Sequence, residues 1–144
     1  MSIWFKNCTL EDIKRTSSHK DLTHSLGIEF TELGPDFLRG SMPVDERTRQ
    51  PYGLLHGGAS VALAETLGSL ACYLTLNPDS QYNVGLEINA NHVRGVREGL
   101  VTGTARPLHM GRTTHVWEIR VVDEQDKLVC ISRLTLAILE RKDA

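Results

Sequence analysis

Residues 50–73 read QPYGLLHGGASVALAETLGSLACY, and from Gly57 onward this stretch predicts a helix that is apolar nearly all the way round. In a soluble protein, a helix without a polar face is normally buried on every side. Glu65 is the one charge that interrupts it. Because a buried carboxylate is costly unless it is paired or used, Glu65 is the first candidate for a functional residue. The rest of the chain must supply the surfaces that bury this helix.

The segments around the helix predict short helices before it and strands on both sides. Thr9 and Asp21 can start two short helices, the second of which ends at Gly27. The hydrophobic period then changes, and strands are expected over residues 28–44 (as a hairpin), 82–92, 99–108, 113–123 and 128–139, the last three as an antiparallel meander. The alternation over residues 86–92 predicts a strand with two unlike faces. A curved antiparallel sheet wrapped around the helix would bury it, which predicts an α+β fold.

Such a sheet covers only one side of the central helix. Since apolar residues occupy almost its whole circumference, the remaining face needs another cover, and a second copy of the chain is the simplest one. We therefore expect a homodimer as the minimal unit.

Length and composition are those of an ordinary globular protein. The 144 residues are enough for one domain, with an N-terminal helical segment over residues 1–27 and a core over residues 28–140. The net charge of −2 leaves no basic excess, so nucleic acid is not an expected partner. No N-terminal run resembles a signal peptide and the central helix is too short and interrupted to span a bilayer, so no membrane association is expected.

The positions of cysteines and histidines predict neither a disulfide framework nor a metal site. Three widely spaced cysteines fit reduced thiols in a cytoplasmic protein: Cys8, Cys72 and Cys130. Three histidines have no metal-like spacing with acidic residues or cysteines, so we predict no metal: His19, His24 and His115.

One short segment carries the residue types that cleave an acyl group: Gln50, His56, Gly57, Gly58, Glu65 and Ser69. The two glycines stand at the expected helix N-terminus, where unpaired N–H groups and the positive end of the helix dipole can hold an oxyanion. A glycine turn that only lets the chain enter the helix closely is the other interpretation.

Glu65 has few cations near it in the sequence, and burial should raise its pKa, which suits a general base or a nucleophile. The alternative is a carboxylate satisfied by a capping N–H or by a partner across an interface. Ser69 lies one turn further on the same face, where it can hydrogen-bond the carboxylate or a nearby water, or simply pack.

The spacing along the helix separates these groups. Gly57 and Glu65 are eight residues apart, which is about 12 Å along the axis. A carbonyl held at Gly57 would not easily touch Glu65 of the same chain. Two helices packed antiparallel across a dyad would bring them together, which predicts two equivalent sites shared between subunits.

Several separated motifs in order resemble one family: QPYGLLHGGASVALAETLGS, VGLEINANHVR, PLHMGR and CISRLT. They are similar to the hotdog-fold acyl-CoA thioesterases, in the branch of 4-hydroxybenzoyl-CoA thioesterase and 1,4-dihydroxy-2-naphthoyl-CoA hydrolase. The resemblance covers nearly the whole chain. It implies a helix wrapped by an antiparallel sheet, a dimer joined through the sheets, and commonly a homotetramer built as a dimer of dimers.

The same resemblance assigns roles. It places the catalytic carboxylate on Glu65, the oxyanion-hole amide on Gly57, a carbonyl-polarising or water-orienting amide on Gln50 and a supporting hydroxyl on Ser69, and His56 matches the histidine before that glycine. By resemblance, Val84 and two segments line the coenzyme A and pantetheine path: Asn91, His92, Val93 and Arg94, then Leu108, His109, Met110, Gly111, Arg112 and Thr113. A hydrogen-bonded strand histidine and a solvated turn are the alternatives for these two segments.

These residues predict an acyl-CoA thioesterase that releases free acid and coenzyme A. Coenzyme A is then part of the substrate, so no separate cofactor is expected. A hotdog-fold hydratase or dehydratase using His56 is one alternative, and a non-catalytic acyl-CoA-binding protein is another. The sequence leaves open whether Glu65 activates water or forms an anhydride, and whether the acyl group is aromatic or aliphatic, although the resemblance favours aroyl groups with broad tolerance.

Overall fold

A computed structural model describes residues 1–17 and 20–142 of the chain, so His19 lies outside the described residues. It contains three helices and six strands within those ranges: α1 (Leu10–Thr16), α2 (Leu22–Ser25), β1 (Glu29–Leu33), β2 (Leu38–Pro43), α3 (Gly57–Leu74), β3 (Gln81–His92), β4 (Leu100–Met110), β5 (Thr114–Val122) and β6 (Leu128–Glu140). Each predicted helix and strand is present, with boundaries that differ by a few residues.

The short N-terminal helices begin and end where their capping residues predict. Thr9 and Asp12 form a capping box at the start of α1, and Asp21 caps α2 through its side chain. After α2 the chain passes through Gly27 at φ 71°, a left-handed conformation that glycine adopts without a Cβ clash.

The six strands form one antiparallel sheet in the order β1-β2-β4-β5-β6-β3. The expected hairpin is β1–β2, and the expected meander is β4–β5–β6. The chain leaves α3 and enters β3 at the far edge of the sheet, beside β6. α3 packs against β2 to β6, so the predicted α+β arrangement of a helix wrapped by a curved sheet is confirmed.

Large apolar side chains from the inner face of the sheet pack on one side of α3. Leu63 and Leu67 are fully buried in the same hydrophobic core as Trp117 and its neighbours on the central strands. Gly103 lets α3 approach closely, since a Cβ there would lie 2.7 Å from a Leu67 methyl group. No helix of the described chain is long and apolar enough to cross a membrane.

The other side of α3 is only half covered within one chain. Val61, Glu65, Ser69 and Leu70 are partly exposed there, while Tyr73 is 40% exposed. The apolar circumference predicted from the sequence is therefore not closed by the chain's own sheet. The second copy that would close it stays a prediction.

β3 departs from the predicted alternation. A bulge between Gly85 and Glu87 shifts its register against β6, and Leu86 is 63% exposed rather than turned into the core. Only Ile88 and Ala90 of the alternating residues pack against the core. The two predicted unlike faces are therefore present only around Ile88 and Ala90, because the bulge turns Leu86 away from the core.

Candidate active site

α3 begins at a turn in which His56 accepts hydrogen bonds from most of the first N–H groups of the helix. Its ring Nδ1 accepts from the Gly58 N–H at 2.8 Å, and its carbonyl oxygen accepts from the N–H groups of Ala59 and Ser60 at 3.0 and 3.2 Å. The Gly57 N–H has no acceptor among the described residues. One donor at the positive end of the helix dipole is therefore left for a ligand.

His92 lies beside Gly57, at a distance that only a glycine permits. A Cβ on residue 57 would lie 2.9 Å from Nε2 of His92. These two residues line a hollow of about 290 Å³ together with Gln50 and Arg94, and we call the four residues the glycine half-site. The structure thus joins two residues of the predicted catalytic set to two of the predicted coenzyme A path.

The loop before α3 orients the Gln50 side chain. Its Oε1 accepts a hydrogen bond from the Tyr52 N–H, and the Gln50 backbone N–H donates to the Leu54 carbonyl at 2.8 Å. The side-chain NH₂ of Gln50 makes no hydrogen bond within the described part of the chain. Gln50 therefore offers a ligand a donor beside the Gly57 N–H.

Glu65 lies about two turns along α3, on the half-covered face. Its carboxylate forms neither a hydrogen bond nor an ion pair with any residue that the structure describes, and burial raises its pKa above the usual carboxyl value. It lies against Gly85, where a Cβ would come within 2.6 Å of Oε1. An unpartnered carboxylate with a raised pKa suits a proton acceptor or a nucleophile.

Ser69 and Asn83 stand near this carboxylate. Ser69 lines the same hollow of about 580 Å³ as Glu65, but no hydrogen bond joins the two side chains. The Asn83 side-chain NH₂ donates to the Ser69 carbonyl at 2.9 Å, which ties β3 to α3. We call Glu65, Ser69, Asn83 and Gly85 the glutamate half-site.

Strand register shows how far apart the two half-sites lie. His92 pairs with Cys130 near one end of β6, whereas Val84 pairs with Ala137 near the other. The eight residue steps from Val84 to His92 span about 26 Å of strand. Within one chain the glycine and glutamate half-sites are thus separate, as their spacing on the helix predicts.

The residues of the predicted coenzyme A path fall into the same two groups. Asn91 and Val93 are exposed beside His92 and Arg94, near the glycine half-site. Val84 lies level with the β4–β5 turn, because its partner Ala137 also pairs with Thr114. The end of β4 and that turn carry the remaining predicted residues, which are half-buried at Gly111 and exposed elsewhere: Leu108, His109, Met110, Gly111, Arg112 and Thr113. One chain does not bring the two groups together.

Two residues that position Glu65 and Ser69 were missed by the sequence analysis. Gly85 leaves room for the Glu65 carboxylate, and Asn83 holds the Ser69 backbone. A glycine inside a strand signals a bulge or a close approach, so Gly85 carried a recognisable signal. Asn83 carried none, because its partner is fourteen residues away in another element. Among residues 1–17 and 20–142, no group of three or more His, Cys, Asp and Glu side chains is placed to hold a metal ion.

The sequence of the chain matches a known protein family. A model of the thioesterase superfamily matches residues 52–130, more than half of the chain. The chain belongs to the thioesterase superfamily. The resemblance seen in its sequence motifs is therefore confirmed, and so is the prediction that it is a thioester hydrolase.

Relatives of this thioesterase match it over nearly their full length. It is 54% identical to the proofreading thioesterase EntH of Cronobacter turicensis, with 95% of this chain and 98% of the relative aligned. It is 51% identical to the 1,4-dihydroxy-2-naphthoyl-CoA hydrolase of Escherichia coli, with 95% of this chain and 99% of that one aligned. A crystal structure of a thioesterase from Haemophilus influenzae superposes with a TM-score of 0.91 at 49% identity, covering 96% of this chain and 95% of the other. The predicted hotdog fold is confirmed by this likeness.

Proposed function

We propose that this thioesterase hydrolyses the thioester of an aromatic or broad-range acyl-CoA to the free acid and coenzyme A. The observation that carries the proposal is that the two groups required by the chemistry are the ones left unengaged. The Gly57 N–H has no acceptor and the Glu65 carboxylate has no partner among the described residues. Relatives named as hydrolases of acyl-CoA or as thioesterases support the same class of substrate.

The Gly57 N–H and the Gln50 amide would hold the carbonyl oxygen. Negative charge develops on that oxygen as the carbonyl carbon becomes tetrahedral, and two donors at a helix N-terminus stabilise it. Losing one such donor costs about 10²- to 10³-fold in kcat. Because the Gln50 NH₂ is unengaged, we assign Gln50 to the carbonyl oxygen rather than to the proton of a water.

Glu65 would act on the carbonyl carbon. As a general base, it takes a proton from a water whose oxygen attacks the carbon, the C–S bond breaks, and the sulfur leaves as the coenzyme A thiol after protonation. As a nucleophile, a Glu65 oxygen attacks, the thiolate leaves, and water then cleaves the mixed anhydride. Single-turnover hydrolysis in ¹⁸O water tests the anhydride route, since water that attacks the Glu65 carbonyl carbon of the anhydride leaves its label in Glu65, and direct attack cannot do so.

The separation of the half-sites supports an active site shared by two copies. The free edge of β3 and the exposed Val84 and Leu86 would be covered if two β3 strands paired antiparallel. A dyad near Ile88, midway between Val84 and His92, would then lay the glycine half-site of one copy beside the glutamate half-site of the other. The same pairing would bring the two groups of predicted coenzyme A residues, one from each copy, next to each other. Arg94 and Arg112 could then bind the phosphates of coenzyme A.

Coenzyme A enters this scheme as part of the substrate, so we propose no separate cofactor. Further association into a homotetramer and a cytoplasmic location stay predictions. The hydratase alternative would use His56 for proton transfer, and only its Nε2 would serve that role because Nδ1 accepts from the Gly58 N–H.

Thiol release from a panel of naphthoyl-, benzoyl- and fatty acyl-CoA substrates tests the activity. We expect release of coenzyme A with wild-type protein and loss with Glu65→Ala. Binding without thiol release would favour the acyl-CoA-binding alternative, and formation or hydration of a double bond would favour the hydratase.

Complementation tests the shared site. Two differently tagged chains, Glu65→Ala and Gln50→Ala/Gly57→Val, are co-expressed and the mixed dimer is purified. One of its two sites would combine an intact glycine half-site with an intact Glu65, so about half of the wild-type kcat is expected while both parent homodimers stay inactive. A dead mixed dimer would show that each site lies within one chain.

A further inference from the structure

The hollow beside Glu65 has a second wall that the reaction does not use. It measures about 580 Å³ and lies between the half-covered face of α3 and the N-terminal helices. Glu65, Ser69 and Tyr73 line the α3 side. Ser17 and Thr23 line the opposite side, so an acyl group that enters this hollow with its carbonyl carbon beside Glu65 would point its far end at the N-terminal segment.

This opposite wall combines polar side chains with the apolar Ile13 and Phe30, and one of its polar groups is unengaged. The Ser17 hydroxyl donates to the Ile13 carbonyl at 3.1 Å, and Oδ1 of Asp21 accepts from the His24 N–H at 3.0 Å. The half-buried Thr23 hydroxyl makes no hydrogen bond to any part of the chain that the structure describes. It is the group on this wall that remains able both to donate to a ligand and to accept from one.

We infer that Thr23 determines acyl specificity by hydrogen-bonding a polar substituent at the far end of the acyl group. This inference rests on the proposed function, and it narrows the substrate to a compact acyl group with a polar far end. An alkyl tail ending at this wall would displace the water that hydrogen-bonds to the Thr23 and Asp21 oxygens. The tail would not replace the hydrogen bonds of that water, so its binding would cost free energy.

The neighbouring hollow mixes charged and apolar side chains. It measures about 460 Å³, and its lining includes Lys14 and Arg47. Ser17, Thr23 and Phe30 line both hollows, so they mark the boundary between them. A tail that passed this boundary would contact the charged side chains of Lys14 and Arg47 as well as the apolar side chain of Ile28.

The test compares two substrates of nearly equal size, 4-hydroxybenzoyl-CoA and 4-methylbenzoyl-CoA, which differ by a hydroxyl and a methyl group. Wild-type protein should have the higher kcat/KM for the hydroxyl substrate. Thr23→Val keeps the size of the side chain but removes its hydroxyl, and should lower that preference by about 3- to 10-fold, the effect of one neutral hydrogen bond. Thr23→Ser should retain the preference.

Leu22→Ala is the matched control, since Leu22 is the adjacent residue of α2, is 61% exposed and is not part of either lining. It should leave the preference unchanged. If the wild type is active but does not prefer the hydroxyl substrate, or if Thr23→Val keeps the wild-type preference, the role of Thr23 is overturned. The proposed function would stand in either case. Absence of thiol release from every acyl-CoA would overturn the proposed function, and this inference with it.

Discussion

The carboxylate of Glu65 lies over Gly85, so close that a Cβ on residue 85 would come within 2.6 Å of Oε1. Gly85 sits at the bulge of the edge strand β3, and Glu65 on the half-covered face of α3. The missing side chain at residue 85 therefore fixes where the only charge of the central helix can lie. This relationship makes the position of the carboxylate testable without changing Glu65 itself.

Gly85→Ala should lower kcat by about 10²-fold while the protein stays folded. The atom that the new methyl group meets is the end of a flexible side chain, so the carboxylate moves and the backbone does not. A displacement of about 1 Å at a reacting group is enough for such a loss. Steady-state kinetics with thermal unfolding as a second measurement checks it. Glu87→Ala, two residues along the same strand and exposed, should keep full activity; a similar loss there would assign the effect to the strand.

The activity should fall as the pH is lowered, and this fall should begin at a pH above the ordinary pKa range of a carboxyl group. Burial raises the pKa of Glu65, and only its ionised form can take a proton or attack a carbonyl. As pH falls through the raised pKa, the active form is lost, so kcat/KM declines. A pH profile of kcat/KM measures the pH at which the activity falls to half. A midpoint at or below the ordinary glutamate pKa of about 4.3 would contradict the role assigned to burial.

His56 should act as a positioning residue through its hydrogen bond to the Gly58 N–H at 2.8 Å. His56→Ala removes the helix cap, which costs about 0.5–2 kcal/mol, and loosens the turn that presents the Gly57 N–H. His56→Asn supplies another strong capping side chain. We expect lower kcat and melting temperature for the alanine variant and recovery of both for the asparagine variant. An asparagine variant that is stable but as slow as alanine would mean that the imidazole itself takes part.

The order of elements and the candidate half-sites could be predicted because they depend on local patterns. The free N–H at Gly57 follows from a glycine pair at a helix start, and the separation from Glu65 follows from helical rise. The position of His92 beside Gly57 could not be predicted, because it depends on which strand reaches the sheet edge next to the helix start. The exposure of Leu86 was not predicted for a similar reason. Alternation in the sequence indicates which residues share a face of a strand, but it shows neither where a bulge lies nor which strand is adjacent.

The stability of the fold should fall below about pH 6.5 through His115, which is 4% exposed. Nδ1 of His115 lies 3.4 Å from both Nε1–H of Trp117 and Sγ of Cys72, and an indole can only donate, so these contacts favour the neutral ring. Burial first, and then the nearby His109, lowers the pKa of His115. The unfolded chain, with a histidine pKa of about 6.5, therefore binds the proton more readily. Stability is full above that value and is lost as pH falls towards the lower folded pKa.

Urea unfolding of wild type and His115→Gln at pH 7 and pH 5 measures this effect. Glutamine still accepts from Trp117 but does not titrate, so its free energy of unfolding should decline less between the two values. An equal decline in wild type and His115→Gln would assign the pH dependence to other groups, because only a proton taken up by His115 on unfolding distinguishes the two chains.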